Sequence, residues 1–140
     1  RQHVFSFEAF NRGAYVIAET LNQAPDVVVI GTGSELHLGV AAQAALEKRG
    51  YAVRLVSMPS RELYLRRDEA FREGLIPPTA RKVVIEAGVS YGWGDIVGTD
   101  ALLLTQDDFG HSAPGAVLAE QLGFTEEQVA DRVLAWAQDQ

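Results

Sequence analysis

The stretch Val27-Val28-Val29-Ile30-Gly31-Thr32-Gly33-Ser34-Glu35-Leu36 carries residue types that suit anion binding in an α/β protein. An apolar run stops at two glycines and opens into a helical pattern, so backbone N–H groups at the positive end of a helix would face a ligand. Gly31 and Gly33 can take backbone angles closed to other residues, which permits a tight turn, and Ser34 can cap the helix that follows. Gly33 and Ser34 are therefore the candidate anion site. The pattern begins like a dinucleotide fingerprint, but Leu36 stands where glycine or alanine is needed for close helix–strand packing. The next strand ends in Ser57, not in an acidic residue able to hold ribose hydroxyls. No Walker A lysine is present either. The turn reads as a fold-building element, with room for a small anion as the second reading.

The other chemistry-bearing residues do not assemble into a set. His3, His37 and His111 fall in separate elements without ligand spacing, so no metal site is expected. Cysteine is absent, which excludes disulfides and thiolate metal sites. Asp108-Phe109-Gly110 matches a kinase tripeptide, but no glycine-rich loop with lysine and no His-Arg-Asp segment accompanies it. Ser57, Ser60, Ser90 and Ser112 lack the Gly-x-Ser-x-Gly context of a nucleophile and read as caps. Glu86 closes a buried strand, where a carboxylate needs a partner or shifts its pKa. A structural hydrogen bond or an interface suits it better than catalysis. No catalytic residue is assigned.

Composition narrows the partners. A chain of 140 residues that is 47% hydrophobic supports one domain with a real core. Its 12 basic and 19 acidic residues leave a net charge of −7, and the longest basic run is Arg66-Arg67. Nucleic acid and anionic membranes are therefore excluded as expected partners. No apolar run reaches bilayer length and no signal-peptide pattern opens the chain, so a cytoplasmic location is expected. The single methionine is Met58. An initiator methionine is not normally trimmed before a residue as large as Arg1, so the chain is expected to be a piece of a longer polypeptide.

The elements that would position these residues follow from periodicity. Residues 1–13 have three aromatics and no period, and read as an arm. Ala14–Glu19 reads as a strand, and the turn after it, Asn22–Asp26, is too short for a crossover. That strand should thus run antiparallel to the next if the two pair. From Ser34 to Arg49, Leu36, Val40, Ala41, Ala44 and Ala45 fall at helical spacing, with Gly50 as C-cap; this is a sheet-covering helix. Ala52–Ser57 is a strand. Arg61 to about Glu73 reads as helical, with Leu63, Ala70 and Phe71 as its buried stripe and Gly74 and Pro77-Pro78 as its stop. Arg81–Glu86 repeats the grammar of strand then glycine turn, Val89–Gly98 holds at most a short helix, and Ala101–Thr105 is the last strand. A helix from Ser112 to about Leu122 has Pro114 in its first turn. The final helix opens with a Thr125/Gln128 capping box and a Phe124/Val129 staple, with Val129, Val133 and Trp136 on one face. Phe5, Phe7, Phe10 and Trp93 are expected to present exposed apolar surface. The fold class is α/β, a three-layer αβα arrangement with a mixed, mostly parallel five-stranded sheet whose first strand is antiparallel.

Six phrases in order carry a family resemblance: Arg1-Gln2, Arg12-Gly13-Ala14-Tyr15-Val16, Thr32-Gly33-Ser34-Glu35, Val56-Ser57-Met58-Pro59-Ser60, Glu86-Ala87-Gly88 with Trp93, and Phe109-Gly110-His111-Ser112-Ala113-Pro114. Together the chain resembles the carboxy-terminal, Rossmann-like domain of transketolase over essentially its whole length, with 1–13 as the arm from a preceding domain and 14–140 as the domain itself. The family's usual glutamate after Phe-Gly is replaced by His111. The resemblance implies a homodimeric enzyme of the pentose phosphate pathway. Such an enzyme uses thiamine diphosphate and Mg2+ to move a two-carbon ketol unit from a ketose phosphate to an aldose phosphate. In that family the diphosphate-and-metal motif and the coenzyme-activating glutamate belong to the earlier domains, so no cofactor is bound by motifs in this chain, which should be inactive alone. The implied partners are the preceding domains, a second protomer and, in the parent enzyme, sugar phosphates. Arg1 matches an arginine that helps bind the substrate phosphate, a task suited to a guanidinium. The turn at Gly33 and Ser34 corresponds to a suggested regulatory anion site. The competing readings are a free-standing anion- or nucleotide-binding module, or the equivalent domain of deoxyxylulose-phosphate synthase or of a 2-oxoacid dehydrogenase β chain. The Ser-Met-Pro-Ser and Phe-Gly-x-Ser-Ala-Pro phrases favour transketolase.

Overall fold

A computed structural model describes residues 11–32, 35–86, 92–105 and 125–139. Within them the chain runs β1 (Tyr15–Glu19), β2 (Val27–Gly31), α1 (Leu36–Lys48), β3 (Val53–Ser57), α2 (Arg61–Leu65), α3 (Glu69–Leu75), β4 (Arg81–Glu86), α4 (Gly94–Val97), β5 (Leu102–Thr105) and α5 (Glu126–Gln138). The expected arm before residue 11, the helix from Ser112 and the Phe124 half of the staple lie outside the described residues.

The five strands form one sheet in the order β1-β3-β2-β4-β5. β2 pairs in parallel with β3 and with β4, β4 with β5, and only β1 is antiparallel. The first strand thus has the expected direction but not the sequence neighbour as its partner. It pairs with β3, through a register irregularity between Val16 and Ala18, because β2 is already laddered on both sides. All five residues of β2 are buried, as four β-branched side chains in a doubly covered parallel strand require.

Strand alternation divides the core in two. Val27, Val29, Leu55, Val83 and Ile85 pack against α1 and α5; Val28, Ile30, Val56 and Val84 pack against α2, α3 and α4. The helices therefore cover both faces, and the three-layer expectation holds.

α1 corrects a sequence reading in an informative way. Its buried residues are Leu38, Gly39, Ala42, Gln43 and Leu46, whereas of the periodic set read from the sequence Val40 and Ala44 are exposed and Leu36, Ala41 and Ala45 are half-buried. Gly39 decides the side: a Cβ there would stand 2.7 Å from Leu55 Cδ1, so the helix presents its bare backbone to the sheet. Gln43 faces inward and donates to Val53 O at 3.4 Å. The helix ends as read, with Gly50 at φ +92° donating to Glu47 O and Tyr51 donating to Leu46 O, the two bonds of a Schellman motif.

The segment read as one helix from Arg61 is two. Ser60 caps α2 by accepting from Leu63 N, and Asp68 caps α3 by accepting from Phe71 N. The turn between them rotates the faces, so Tyr64 and Leu75 are buried while Leu63 and Ala70 are exposed and Phe71 is half-buried. Gly74 lies inside α3, which ends at Leu75. At the other end of the chain the Thr125/Gln128 capping box is present in both directions, and Val129 and Val133 are fully buried. Trp136 is half-buried beneath Arg81, whose guanidinium lies 4.0 Å from the ring centroid.

Gly13 holds β1 to the helical side. It sits at φ +94°, accepts from Ser60 N at 3.1 Å, and leaves room for a Cβ only 2.4 Å from Tyr64 N. Gly13→Ala therefore combines a left-handed backbone with a clash against main chain. It should cost about 3 kcal/mol or more, read as a lowered urea midpoint.

Candidate functional site at the carboxyl ends of the central strands

β2 and β4 lie side by side, yet the chain leaves β2 for α1 on one face and leaves β4 for α4 on the other. Their carboxyl ends therefore flank a topological switch point, where open α/β sheets bind ligands. The described residues around it are Gly31, Thr32, Ser57, Met58, Glu86, Trp93 and Arg61.

The first wall is the turn after β2. Gly31 is the last residue of β2, and it is not among the glycines with positive φ. What it supplies is space, since a Cβ there would come within 3.1 Å of Leu36 Cδ2. Leu36, which argued against a dinucleotide site, thus folds back over the end of the strand. Glu35 N donates to Thr32 O at 3.0 Å and Met58 N to Gly31 O at 3.1 Å, tying the turn to the end of β3. Ser57 pairs with Gly31 in the ladder and is 4% exposed, so it is a strand residue and not the cap expected of it. Gly33 and Ser34, the anion candidates, lie outside the described residues, as do Arg1, His3, His111, Ser90 and Ser112. The residue preceding α1, Glu35, makes no side-chain capping bond.

The second wall is built on Glu86. Trp93 Nε1 donates to Glu86 Oε1 at 2.6 Å, and the indole is 0% exposed. This overturns the expectation that Trp93 lies on exposed apolar surface: β4 delivers a carboxylate at the one place where the buried indole N–H needs an acceptor. Arg61, from the first turn of α2, lays its guanidinium over the same ring at 4.8 Å. In the trio Arg61–Trp93–Glu86 the cation lies over the face of the ring and the anion accepts at its edge. Arg61 was missed by sequence reasoning; an arginine one residue after a cap carries no local signal of a ring thirty-two positions away.

Burial pushes the Tyr64 hydroxyl up to about 12, partly offset by the Arg72 guanidinium, and the phenol donates to Arg72 O at 3.2 Å. It is therefore a structural donor at neutral pH. Among the described residues no group of three His, Cys, Asp or Glu side chains is placed to hold a metal ion. No described helix is long and apolar enough to cross a membrane. The arrangement positions a turn and orders a ring, and among the described residues around it no nucleophile is paired with a base.

This geometry defines a doubly wound α/β domain whose switch point lies between β2 and β4. A family model for the transketolase-like TK C-terminal domain matches residues 13–125. Among curated relatives, transketolase of Aquifex aeolicus is 42% identical over 135 residues, covering 96% of this chain and 19% of that protein. Among solved structures, transketolase from Leishmania mexicana superposes with a TM-score of 0.83 at 32% identity, covering 96% of this chain and 19% of that one. A structure titled split gene transketolase, inactive beta4 tetramer, superposes with a TM-score of 0.64 at 26% identity, covering 96% of this chain and 46% of that one. The chain belongs to the transketolase C-terminal domain family, and it spans about a fifth of the length of the full-length relatives it matches.

The Glu86–Trp93 bond is the testable part of the site. Glu86→Leu removes the acceptor of a buried N–H and should cost about 1–3 kcal/mol, whereas Glu86→Gln retains a carbonyl acceptor and should cost about half as much or less. Urea midpoints at unchanged denaturant slope check the order.

Proposed function

We propose that this chain is the closing domain of a transketolase whose parent moves a two-carbon ketol unit from a ketose phosphate to an aldose phosphate. The observation that carries this reading is the match over 13–125 by a domain that fills 19% of its relatives. The remaining four-fifths of such an enzyme has the length to hold the coenzyme machinery. Thiamine diphosphate with Mg2+ would supply the carbanion chemistry in the parent. The described residues do not fit that cofactor, since they offer no metal-holding cluster and the Glu86 carboxylate is bonded to an indole. The domain's own task is structural: it packs on the preceding domains, supports a homodimer and places its amino-terminal arm. On this reading residues 1–13 are the link to the preceding domain, 14–140 the domain, and the cytoplasmic pentose phosphate pathway the setting. The split-gene relative named as an inactive tetramer favours inactivity of the separated part.

Arg1 is assigned to the phosphate of the sugar substrate, at the point where the arm meets the rest of the enzyme. In the parent enzyme Arg1→Ala should raise KM for the sugar phosphate about tenfold or more, with a smaller change in kcat, the signature of a lost binding contact. This chain alone, supplied with thiamine diphosphate and Mg2+, should give no ketol transfer in a coupled assay, and turnover would place the chemistry here instead.

The second reading, a small-anion site at Gly33 and Ser34, is favoured by their sequence position between β2, which ends at Gly31, and α1, which starts at Leu36. Phosphate, sugar phosphates and nucleotides titrated to millimolar concentration should shift the Gly33 and Ser34 amide resonances. Silence of both amides would remove the site, and a shift with nucleotide alone would revive the free-standing nucleotide module.

A further inference from the structure

A cavity of about 590 Å³ opens at the amino ends of β4 and β5, lined by residues 78–82, 97–101 and Trp136. β4 is six residues long, so about 16 Å separates this cavity from the switch point at the strand's other end. Two cations are fixed at its rim. Arg81 and Lys82 are consecutive on a strand and so leave it on opposite faces. Arg81 reaches toward α5, where it stacks on Trp136 at 4.0 Å and donates to Trp136 O and Ala137 O. Lys82 turns the other way, and its Nζ donates to Ala80 O at 2.8 Å and to Pro78 O at 3.3 Å.

Every one of these acceptors is a neutral carbonyl. The chain has 19 acidic side chains for 12 basic ones, yet among the described residues neither Arg81 nor Lys82 meets a carboxylate. Two positive charges are thus held in place without being neutralised. The segment 97–101 brings the other polarity to the same cavity. Asp100 is exposed and, among the described residues, makes no ion pair with either cation. Thr79 and Thr99 add hydroxyls to the lining.

We propose that this cavity binds a small phosphorylated polyol, its phosphate held by Arg81 and Lys82 and its hydroxyls met by Asp100, Thr79 and Thr99. A phosphate monoester carries about −1.5 to −2 charges at neutral pH, which answers two fixed cations better than a single carboxylate does. Asp100 selects the rest of the ligand. Its carboxylate accepts from hydroxyls and repels a bare anion, so it favours a molecule with donors beyond the phosphate. The volume lies within the range of about 300–1,000 Å³ usual for small-molecule sites and leaves room beyond a phosphate group. This site is separate from the turn at Gly33 and Ser34, and it does not rest on the reaction assigned to the parent.

Glucose 6-phosphate is a suitable probe, with inorganic phosphate and glucose as controls. Titrated to millimolar concentration into the 140-residue chain, it should shift the Trp136 indole N–H and Thr99 amide resonances. Inorganic phosphate should bind about tenfold more weakly, and glucose should leave both resonances unmoved. Lys82→Met keeps the apolar stem and should weaken glucose 6-phosphate about tenfold or more. Asp100→Asn should weaken glucose 6-phosphate and strengthen inorganic phosphate, since it removes a hydroxyl acceptor and a like charge together. Thermal melting followed by circular dichroism checks that both variants are folded, and the Asp100 comparison stands alone because that side chain is exposed. Resonances that stay still, inorganic phosphate binding as tightly as glucose 6-phosphate, or a folded Lys82→Met with undiminished affinity each overturns the proposal. Shifts confined to Gly33 and Ser34 also overturn it, and they leave the turn as the anion site.

Discussion

Everything in this domain answers to the burial of β2. Its five residues are buried with strands on both edges and helices on both faces, so each backbone group has to be met by a ladder and each side chain by a packed layer. A parallel ladder cannot be closed by a short turn, which forces crossovers, and crossovers put helices over the sheet. α1 takes one face on the way to β3, and α2 with α3 take the other on the way to β4. The switch point between β2 and β4 follows from that division. The site is thus a by-product of covering one strand, and its residues were brought together by topology.

Three arginines are used inwardly. Arg54 pairs with Glu19 across β1 and β3 and donates to Gly74 O and Leu75 O, closing the end of α3. Arg81 donates to Trp136 O and Ala137 O while stacked on the indole, and so holds the last turn of α5. A guanidinium suits both tasks, since its planar fork meets carbonyls in pairs and its face lies on a ring. Arg61 on Trp93 is the third instance.

Much of the fold was legible before the structure. The β-branched run of β2, the capping box of α5, the Schellman end of α1 and the Ser60 cap are local devices, written in adjacent residues and readable as such. Two of the errors share an origin, the choice of face. Leu63 and Ala70 were placed inside although the break between α2 and α3 turns Tyr64 and Leu75 inward instead. The stripe Val40, Ala41, Ala44 and Ala45 was legible as a period, but a period says that a helix has a face and not which way it points. Gly39 decided that, by fitting under Leu55, and no spacing rule announces it.

The candidate site divides in the same way. Glu86 could be singled out from sequence because a carboxylate at the end of a buried strand must have a partner, and the structural role preferred for it is the one the Trp93 indole confirms. That Trp93 is the partner, that it is fully buried, and that Arg61 lies on it depend on bringing α2, β4 and the segment before α4 to one point. The sequence by itself determined the class of fold, the strand-and-turn grammar and the family, because these reside in short-range patterns and in phrases kept in order. Only tertiary structure decided the partner of β1, the orientation of α1 and α2, and the meeting of Arg61, Trp93 and Glu86, because each depends on contacts between residues far apart in the chain.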